Sequence, residues 1–136
     1  MSPQVLFPAL RYDDARAAID WLEKALGMEA GEVSESPEGL VVHAELTIAG
    51  ATLMLGSNSQ GGDVRLELPT GGGSVYIALP DAVRVDELFA RAEAAGADVL
   101  MPPTDQSYGS HEFSVADPEG NTWSVGTYRP TSDAAR

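Results

Sequence analysis

The sequence predicts an α+β protein in which two βαβββ modules form a curled mixed sheet around a cleft. Apolar residues recur at helical spacing in two stretches and alternate with polar residues in strand-like stretches between them. The same order of elements occurs twice at a constant offset of 69 residues. This offset relates Ala9 to Ala78 (78 − 9) and the helix-ending Gly27 to Gly96 (96 − 27). Such regularity indicates an internal repeat.

The length of 136 residues fits a single domain, residues 1–136, built from two similar halves. Five of the fourteen glycines fall within the stretch that separates the halves, which predicts a flexible connection. The predicted parts are module one at 5–57, the glycine-rich connection at 58–73, module two at 74–128 and a loose tail at 129–136.

Module one is predicted to begin with a strand from Val5 to Tyr12 that leads into a helix. Asp13 or Asp14 can cap this helix, because a carboxylate accepts hydrogen bonds from the unpaired amides of the first turn. Gly27 ends the helix where a left-handed residue is needed. Helical spacing predicts a buried stripe of Ala15, Ala18, Ile19, Leu22, Ala25 and Leu26.

Three strands are predicted between the first helix and the connection, with turns at Gly39 and Gly50. The clearest strand runs from Val41 to Ile48, and its side chains alternate between an apolar and a more polar face. His43 and Glu45 share the polar face, about 7 Å apart along the strand at roughly 3.4 Å per residue.

Module two repeats this order of elements. A strand at Ser74–Leu79 is followed by a helix that begins at Pro80-Asp81, ends at Gly96 and buries Val85, Leu88, Phe89, Ala92 and Ala95. A further strand is expected near Val99. The last hairpin joins 111–116 to 122–128 through the turn Asp117-Pro118-Glu119-Gly120-Asn121.

The charge of the chain restricts its partners. Eight basic against 21 acidic residues leave a net charge of −13, which argues against nucleic acid and against anionic membrane surfaces. No apolar run approaches the ~20 residues that span a membrane, and the N-terminus lacks signal-peptide features. There is no cysteine for a disulfide or a thiolate metal site. We expect a cytoplasmic protein with a small-molecule ligand.

Three motifs, together with the two-module layout, identify a family resemblance from Val5 to Tyr128. The chain resembles the vicinal oxygen chelate superfamily of glyoxalase I, extradiol dioxygenases, and fosfomycin- and bleomycin-resistance proteins. The most specific motif is the run from Asp117 to Trp123. The others are Leu10–Asp14 leading into Ile19–Leu22, and His43–Leu46 followed by a glycine turn and Leu53–Leu55, which looks like a glyoxalase/bleomycin-resistance-like branch.

The resemblance also implies where a metal ion would bind. Metal-dependent members place His or Glu ligands on the first and last strands of each module, where the ion chelates substrate. The matching positions here are Phe7, Leu55, Tyr76 and Ser124, and both pairs keep the offset of 69 (76 − 7 and 124 − 55). None is a usual ligand for such an ion, and a shift of one residue supplies neither carboxylate nor imidazole. We therefore expect no metal, no cofactor and no catalytic residues of the usual glyoxalase or dioxygenase kind.

A partly aromatic cleft remains, which suits a small ligand. Phe7 and Tyr76 are related by the repeat and are predicted to face each other across it and sandwich a planar ring. Tyr108 either closes the cleft from a loop or lies on the surface. The predicted ligand-binding residues are Phe7, His43, Glu45, Leu55, Tyr76, Tyr108 and Ser124.

Three functions stay open. The first is a metal-independent binding protein that resembles bleomycin-resistance proteins and sequesters a planar antibiotic or metabolite, with a cationic one favoured by the acidic charge. The resemblance implies a homodimer with clefts at its interface. The second is a glyoxalase-like isomerase or lyase, or a dioxygenase-related enzyme, in which His43 and Glu45 supply acid–base chemistry or an unorthodox metal site. The third is a non-catalytic scaffold paralogue.

Overall fold

The structure is a computed structural model and describes residues 4–130. It confirms the predicted α+β fold with two βαβββ modules, joined by a connection that holds a short 3₁₀ turn at Val64–Leu66. Residues 131–136 of the predicted tail lie outside the described residues. The elements are β1 (Ala9–Tyr12), α1 (Ala15–Leu26), β2 (Glu29–Glu35), β3 (Val41–Ile48), β4 (Ala51–Ser57), β5 (Ser74–Ala78), α2 (Ala82–Ala94), β6 (Asp98–Asp105), β7 (His111–Ala116) and β8 (Thr122–Gly126).

Each module forms one four-stranded mixed sheet. The strand orders are β1-β4-β3-β2 in the first sheet and β5-β8-β7-β6 in the second. The first strand of each module runs parallel to the last strand, and the other neighbours are antiparallel. Within residues 4–130, no strand of one sheet pairs with a strand of the other.

The predicted helix caps have a clear basis in side-chain hydrogen bonds. The side chain of Asp14 accepts a bond of 3.1 Å from the amide of Ala17, so Asp14 rather than Asp13 is the cap. Gly27 adopts the left-handed conformation that ends α1, with φ of 67°. The six predicted apolar residues of α1 are all buried. Neither helix of the described chain is long and apolar enough to cross a membrane.

Some element ends differ from the prediction. The first strand begins at Ala9 instead of Val5, because the side chain of Gln4, not the intervening backbone, bonds to both backbone groups of Thr52 at 2.8 and 2.9 Å. Val5 is consequently exposed. The last strand ends at Gly126, and Ala95 is exposed because α2 ends one residue earlier.

The two modules share one hydrophobic core, with the helices packed against each other between them. The Arg91 guanidinium of α2 donates to the carbonyls of Glu23 and Lys24 at the end of α1, at 3.0 and 2.9 Å. These bonds satisfy carbonyl groups that a helix end leaves without partners. The largest fully buried side chains are Trp123, Tyr12 and Phe113.

The turn from Asp117 to Asn121 joins the modules through a buried carboxylate. Asp117 Oδ2 accepts bonds from the Tyr12 hydroxyl at 2.6 Å and from the Trp123 indole at 3.0 Å. The carboxylate of Glu119 accepts from the two backbone amides that precede α1, both at 2.8 Å. Burial and the bond to Asp117 raise the pKa of the Tyr12 hydroxyl, which therefore stays a donor. The motif that carries the family resemblance is thus the contact between modules.

Candidate ligand-binding site

One side of each sheet packs on the core, and we call the other side its open face. In the first sheet, Glu45 of β3 lies opposite Met54 of β4, and Met54 lies beside Ala9 of β1. These three residues therefore share the open face. Arg11 and His43, each two residues away along its strand, lie on the same face.

A pocket of about 360 Å³ lies on this face, and we call it the first-sheet pocket. Arg11, His43 and Met54 line it from the sheet, and Arg65 and Leu68 line it from the connection. His43 Nε2 lies 2.9 Å from Glu45 Oε2, so the structure brings these two predicted residues into contact. Both side chains stay partly open to solvent, at 38% and 46% exposure.

Leu55 lines the first-sheet pocket together with His43, but its side chain does not lie on the open face. Its side chain is 3% exposed and belongs to the core, because Leu55 pairs with Leu10 and Ala44 on the core side of the sheet. Side chains alternate along a strand, so Met54 carries the open-face position of β4 instead. Met54 offers a thioether, which is a poor ligand for the hard divalent ions that such clefts bind.

The open face of the second sheet holds a pocket of about 410 Å³, which we call the second-sheet pocket. The predicted residues Tyr76, Tyr108 and Ser124 come together there. The four other residues that line it were not among the predicted site residues: Ser74, Glu112, Tyr128 and Pro130. Ser124 Oγ lies 2.7 Å from Ser114 Oγ of the neighbouring strand, so its hydroxyl is hydrogen-bonded within the sheet.

Hydrogen bonds order the second-sheet pocket. The carboxylate of Glu112 accepts from the hydroxyls of Tyr108 and Ser110, the latter at 2.9 Å. The Tyr76 hydroxyl donates to the carbonyl of Tyr128 at 2.5 Å. The rings of Tyr108 and Tyr128 meet edge to face, with centroids 5.9 Å apart and planes at 85°.

The two tyrosine hydroxyls at this pocket stay protonated at neutral pH. Its bond to Glu112 raises the pKa of Tyr108 to about 12. Burial is the largest influence on Tyr76 and raises its pKa as well.

The predicted site residues are thus divided between the two sheets of one chain. His43 and Glu45 lie on the first open face, whereas Tyr76, Tyr108 and Ser124 lie on the second. Phe7 precedes β1, is 43% exposed and lies outside both pockets. The sandwich of Phe7 and Tyr76 is consequently not formed within either pocket.

The metal ion of metal-dependent family members does not fit these residues. Phe7 and Leu55 have no donor atom, and the hydroxyls of Tyr76 and Ser124 are held in bonds to the protein. Among residues 4–130, no group of three or more His, Asp or Glu side chains is arranged to hold a metal ion. His43 and Glu45 alone supply two donors.

Comparison with known proteins agrees with this architecture. The model of the Glyoxalase/Bleomycin resistance protein/Dioxygenase superfamily matches residues 4–125. The uncharacterized proteins Mb0911c of Mycobacterium bovis and Rv0887c of Mycobacterium tuberculosis are each 41% identical over 125 residues. The aligned residues cover 89% of this chain, 81% of Mb0911c and 72% of Rv0887c.

Two solved structures are similar over nearly the whole chain. TioX from Micromonospora sp. ML1 is 27% identical with a TM-score of 0.78, over 93% of this chain and 100% of that one. Lactoylglutathione lyase from Agrobacterium tumefaciens is 26% identical with a TM-score of 0.69, over 92% and 94%. The same architecture therefore occurs in a protein whose name denotes an enzyme.

Proposed function

The chain belongs to the glyoxalase/bleomycin resistance protein/dioxygenase superfamily, and we propose that it binds and sequesters a planar small molecule without a metal ion. The observation that carries this proposal is the second-sheet pocket. Tyr76 and Ser124 stand where metal-dependent relatives place ligands, yet here they line a pocket with Tyr108 and Tyr128. Aromatic walls with a few oriented polar groups suit a ring-containing ligand.

The size and openness of the pocket support binding of a small molecule. A volume of about 410 Å³ falls within the ~300–1,000 Å³ of ligand pockets. Tyr108 and Tyr128 are 58% and 49% exposed in one chain, so a ligand stacked on them would remove apolar ring surface from water. This burial would supply much of the affinity.

The cleft would be completed in a homodimer. Within residues 4–130 the modules meet through their helices, their shared core and the Asp117 turn, and no strand of one sheet pairs with the other sheet. A second copy could set its first-sheet pocket against the second-sheet pocket of its partner. Sedimentation velocity at micromolar concentration tests this part of the proposal, with a mass near twice 14.3 kDa expected.

A thermal-shift screen of planar antibiotics, with and without divalent metals, tests the binding function. A ligand at a hundred times its dissociation constant should stabilise the protein by about 2.7 kcal/mol. We expect at least one planar compound to shift the melting temperature equally in chelator and in added metal. A ligand-induced shift that requires added metal would contradict the proposal. The absence of a shift with every compound would contradict it as well.

A second candidate function rests on the contact between His43 and Glu45. A carboxylate 2.9 Å from an imidazole can orient it as a general base, and His43 lines an open pocket. The similar lactoylglutathione lyase makes an isomerase or lyase the natural alternative. In a binding protein His43→Ala should change ligand affinity by less than about tenfold, whereas in an enzyme it should abolish turnover.

A further inference from the structure

The second-sheet pocket has a chemistry that narrows the class of its ligand. We propose that it is a cage for an alkylammonium group, with Tyr108 and Tyr128 as aromatic walls and Glu112 as counter-ion. This inference rests on the proposed binding function and specifies which end of a ligand the second open face receives. It follows from the wall geometry, the carboxylate and the distribution of charge.

The two aromatic walls meet at a right angle. The ring planes of Tyr108 and Tyr128 lie at 85° with centroids 5.9 Å apart, and Tyr76 lines the same pocket. A quaternary or tertiary ammonium group is attracted to aromatic faces by their negative quadrupole and is also partly apolar. Two perpendicular walls can contact two sides of such a roughly spherical group at once.

Glu112 supplies the negative charge of the cage. Two hydroxyl groups, from Tyr108 and Ser110, donate to its two carboxylate oxygens and so fix its orientation. The carboxylate is only partly buried, so its remaining lone pairs can face a cation in the pocket.

Gly126 leaves room for Glu112 to pack closely in the second sheet. Gly126 lies directly opposite Glu112 in the sheet. A Cβ atom at position 126 would lie 2.6 Å from Glu112 Cβ and 2.8 Å from both the Tyr76 hydroxyl and Ser110 Oγ. Only glycine therefore lets these three groups converge, and the sequence has glycine there.

The charge of the lining residues differs between the two pockets. Arg11, Arg65 and His43 line the first-sheet pocket, whereas the second-sheet pocket has Glu112 and no basic residue among the described residues that line it. The net charge of −13 adds a general attraction for cations. The second open face is therefore the one suited to a cationic group.

A pair of probes with the same shape tests the cage. The first is (4-hydroxyphenyl)trimethylammonium and the second is neutral 4-tert-butylphenol, each titrated into the full chain by NMR at fixed salt. We expect the cation to bind about tenfold more tightly, from cation–π and carboxylate contributions together. Glu112→Gln should remove most of this preference while leaving the affinity for the neutral probe within about twofold.

Ring and charge contributions are separated by further variants at exposed positions. Tyr108→Leu or Tyr128→Leu should each weaken cation binding by about threefold, whereas Tyr128→Phe should keep it, because an aromatic face suffices. Glu93→Gln on the exposed surface of α2 removes one negative charge outside the pocket and serves as the control. It should leave the preference for the cation unchanged.

The outcomes separate the cage from the proposed function. Equal binding of the two probes, or a preference that survives Glu112→Gln, overturns the cage. If planar neutral antibiotics still shift the melting temperature, the binding function stands without it. If neither probe binds and no planar compound shifts the melting temperature, both proposals are overturned.

Discussion

Glu45 and Glu112 occupy equivalent places in the two modules. Glu45 lies opposite Met54, which lies beside Ala9, and Glu112 lies opposite Gly126, which lies beside Ala78, the repeat partner of Ala9. Each module thus presents one carboxylate at the same point of its open face. Glu45 is paired with an imidazole and Glu112 with two hydroxyl groups, so the modules have diverged around a shared acidic position.

The bond between Tyr12 and Asp117 should couple the stability of the two modules. Tyr12→Phe removes a buried 2.6 Å donor to a carboxylate, which we expect to lower the free energy of unfolding by about 2 kcal/mol. Urea unfolding of the variant measures this loss. Tyr128→Phe, at a half-exposed position, is the control and should change stability by less than about 0.5 kcal/mol. Equal effects of the two substitutions would argue against the coupling.

The alternation along β4 can be tested by truncation of neighbouring residues. Leu55→Ala should destabilise the protein by about 3 kcal/mol because it leaves a cavity in the core. Met54→Ala, on the open face, should cost less than about 1 kcal/mol in an isolated chain. Chemical denaturation of both variants distinguishes the two faces. A larger loss of stability in Met54→Ala than in Leu55→Ala would contradict the assignment of Leu55 to the core.

Gly126→Ala should disturb the second-sheet pocket and the fold together. The added Cβ would meet Glu112 Cβ at 2.6 Å, and overpacking of this kind costs about 1–3 kcal/mol. Gly31→Ala in β2 is the matched control, because its nearest contact would be an ordinary 3.6 Å. Thermal unfolding of both variants measures the difference, and two indistinguishable melting temperatures would contradict the close packing described here.

His111 should make stability depend on pH. Its Nε2 lies 2.7 Å from Asp86 and its Nδ1 2.7 Å from Asp105, and these bonds raise the pKa of the imidazole above its usual 6.5. A raised pKa in the folded state means that the protonated ring stabilises the fold. This stabilisation is complete below about pH 6.5 and is lost as the pH rises through the folded pKa.

His111→Gln removes the charge while retaining polar contacts. The variant should be less stable than the wild type by about 1 kcal/mol at pH 5.5, since the exposed carboxylates are screened by solvent. The difference should shrink toward pH 8.5. Urea unfolding of both proteins across this range gives the comparison, and a difference that grows with pH would reverse the assigned sign.

The fold could be predicted from the sequence because local and long-range patterns agreed. The stripe of α1, the caps at Asp14 and Gly27, and the alternation from His43 to Ile48 all reflect short-range physics. At the start of this strand the prediction is wrong, because Val41 is buried and Val42 is exposed. The internal repeat then supplied the topology. The late start of the first strand at Ala9 could not be predicted, because it depends on the side chain of Gln4 replacing backbone pairing.

The site is harder to predict because the repeat offset of 69 residues does not hold for every strand. The β3–β4 turn has two residues between its last paired positions, and the β7–β8 turn has five, from Asp117 to Asn121. The offset is 67 between Glu45 and Glu112 (112 − 45) and 72 between Met54 and Gly126 (126 − 54), so the repeat partner of Ser124 is Thr52 (124 − 72) and not Leu55. The unequal turn lengths are the signal in the sequence that the offset of 69 does not extend to the last strands.

The central claim is that ligand binding needs no metal ion. The most direct measurement is the dissociation constant of the planar compound with the largest thermal shift. It should be measured by calorimetry on protein dialysed against chelator and again with one equivalent of Ni²⁺, Zn²⁺ or Mn²⁺. We expect the dissociation constants measured with chelator and with metal to agree within about twofold. An affinity that is lost in chelator and restored by one of these ions would contradict it.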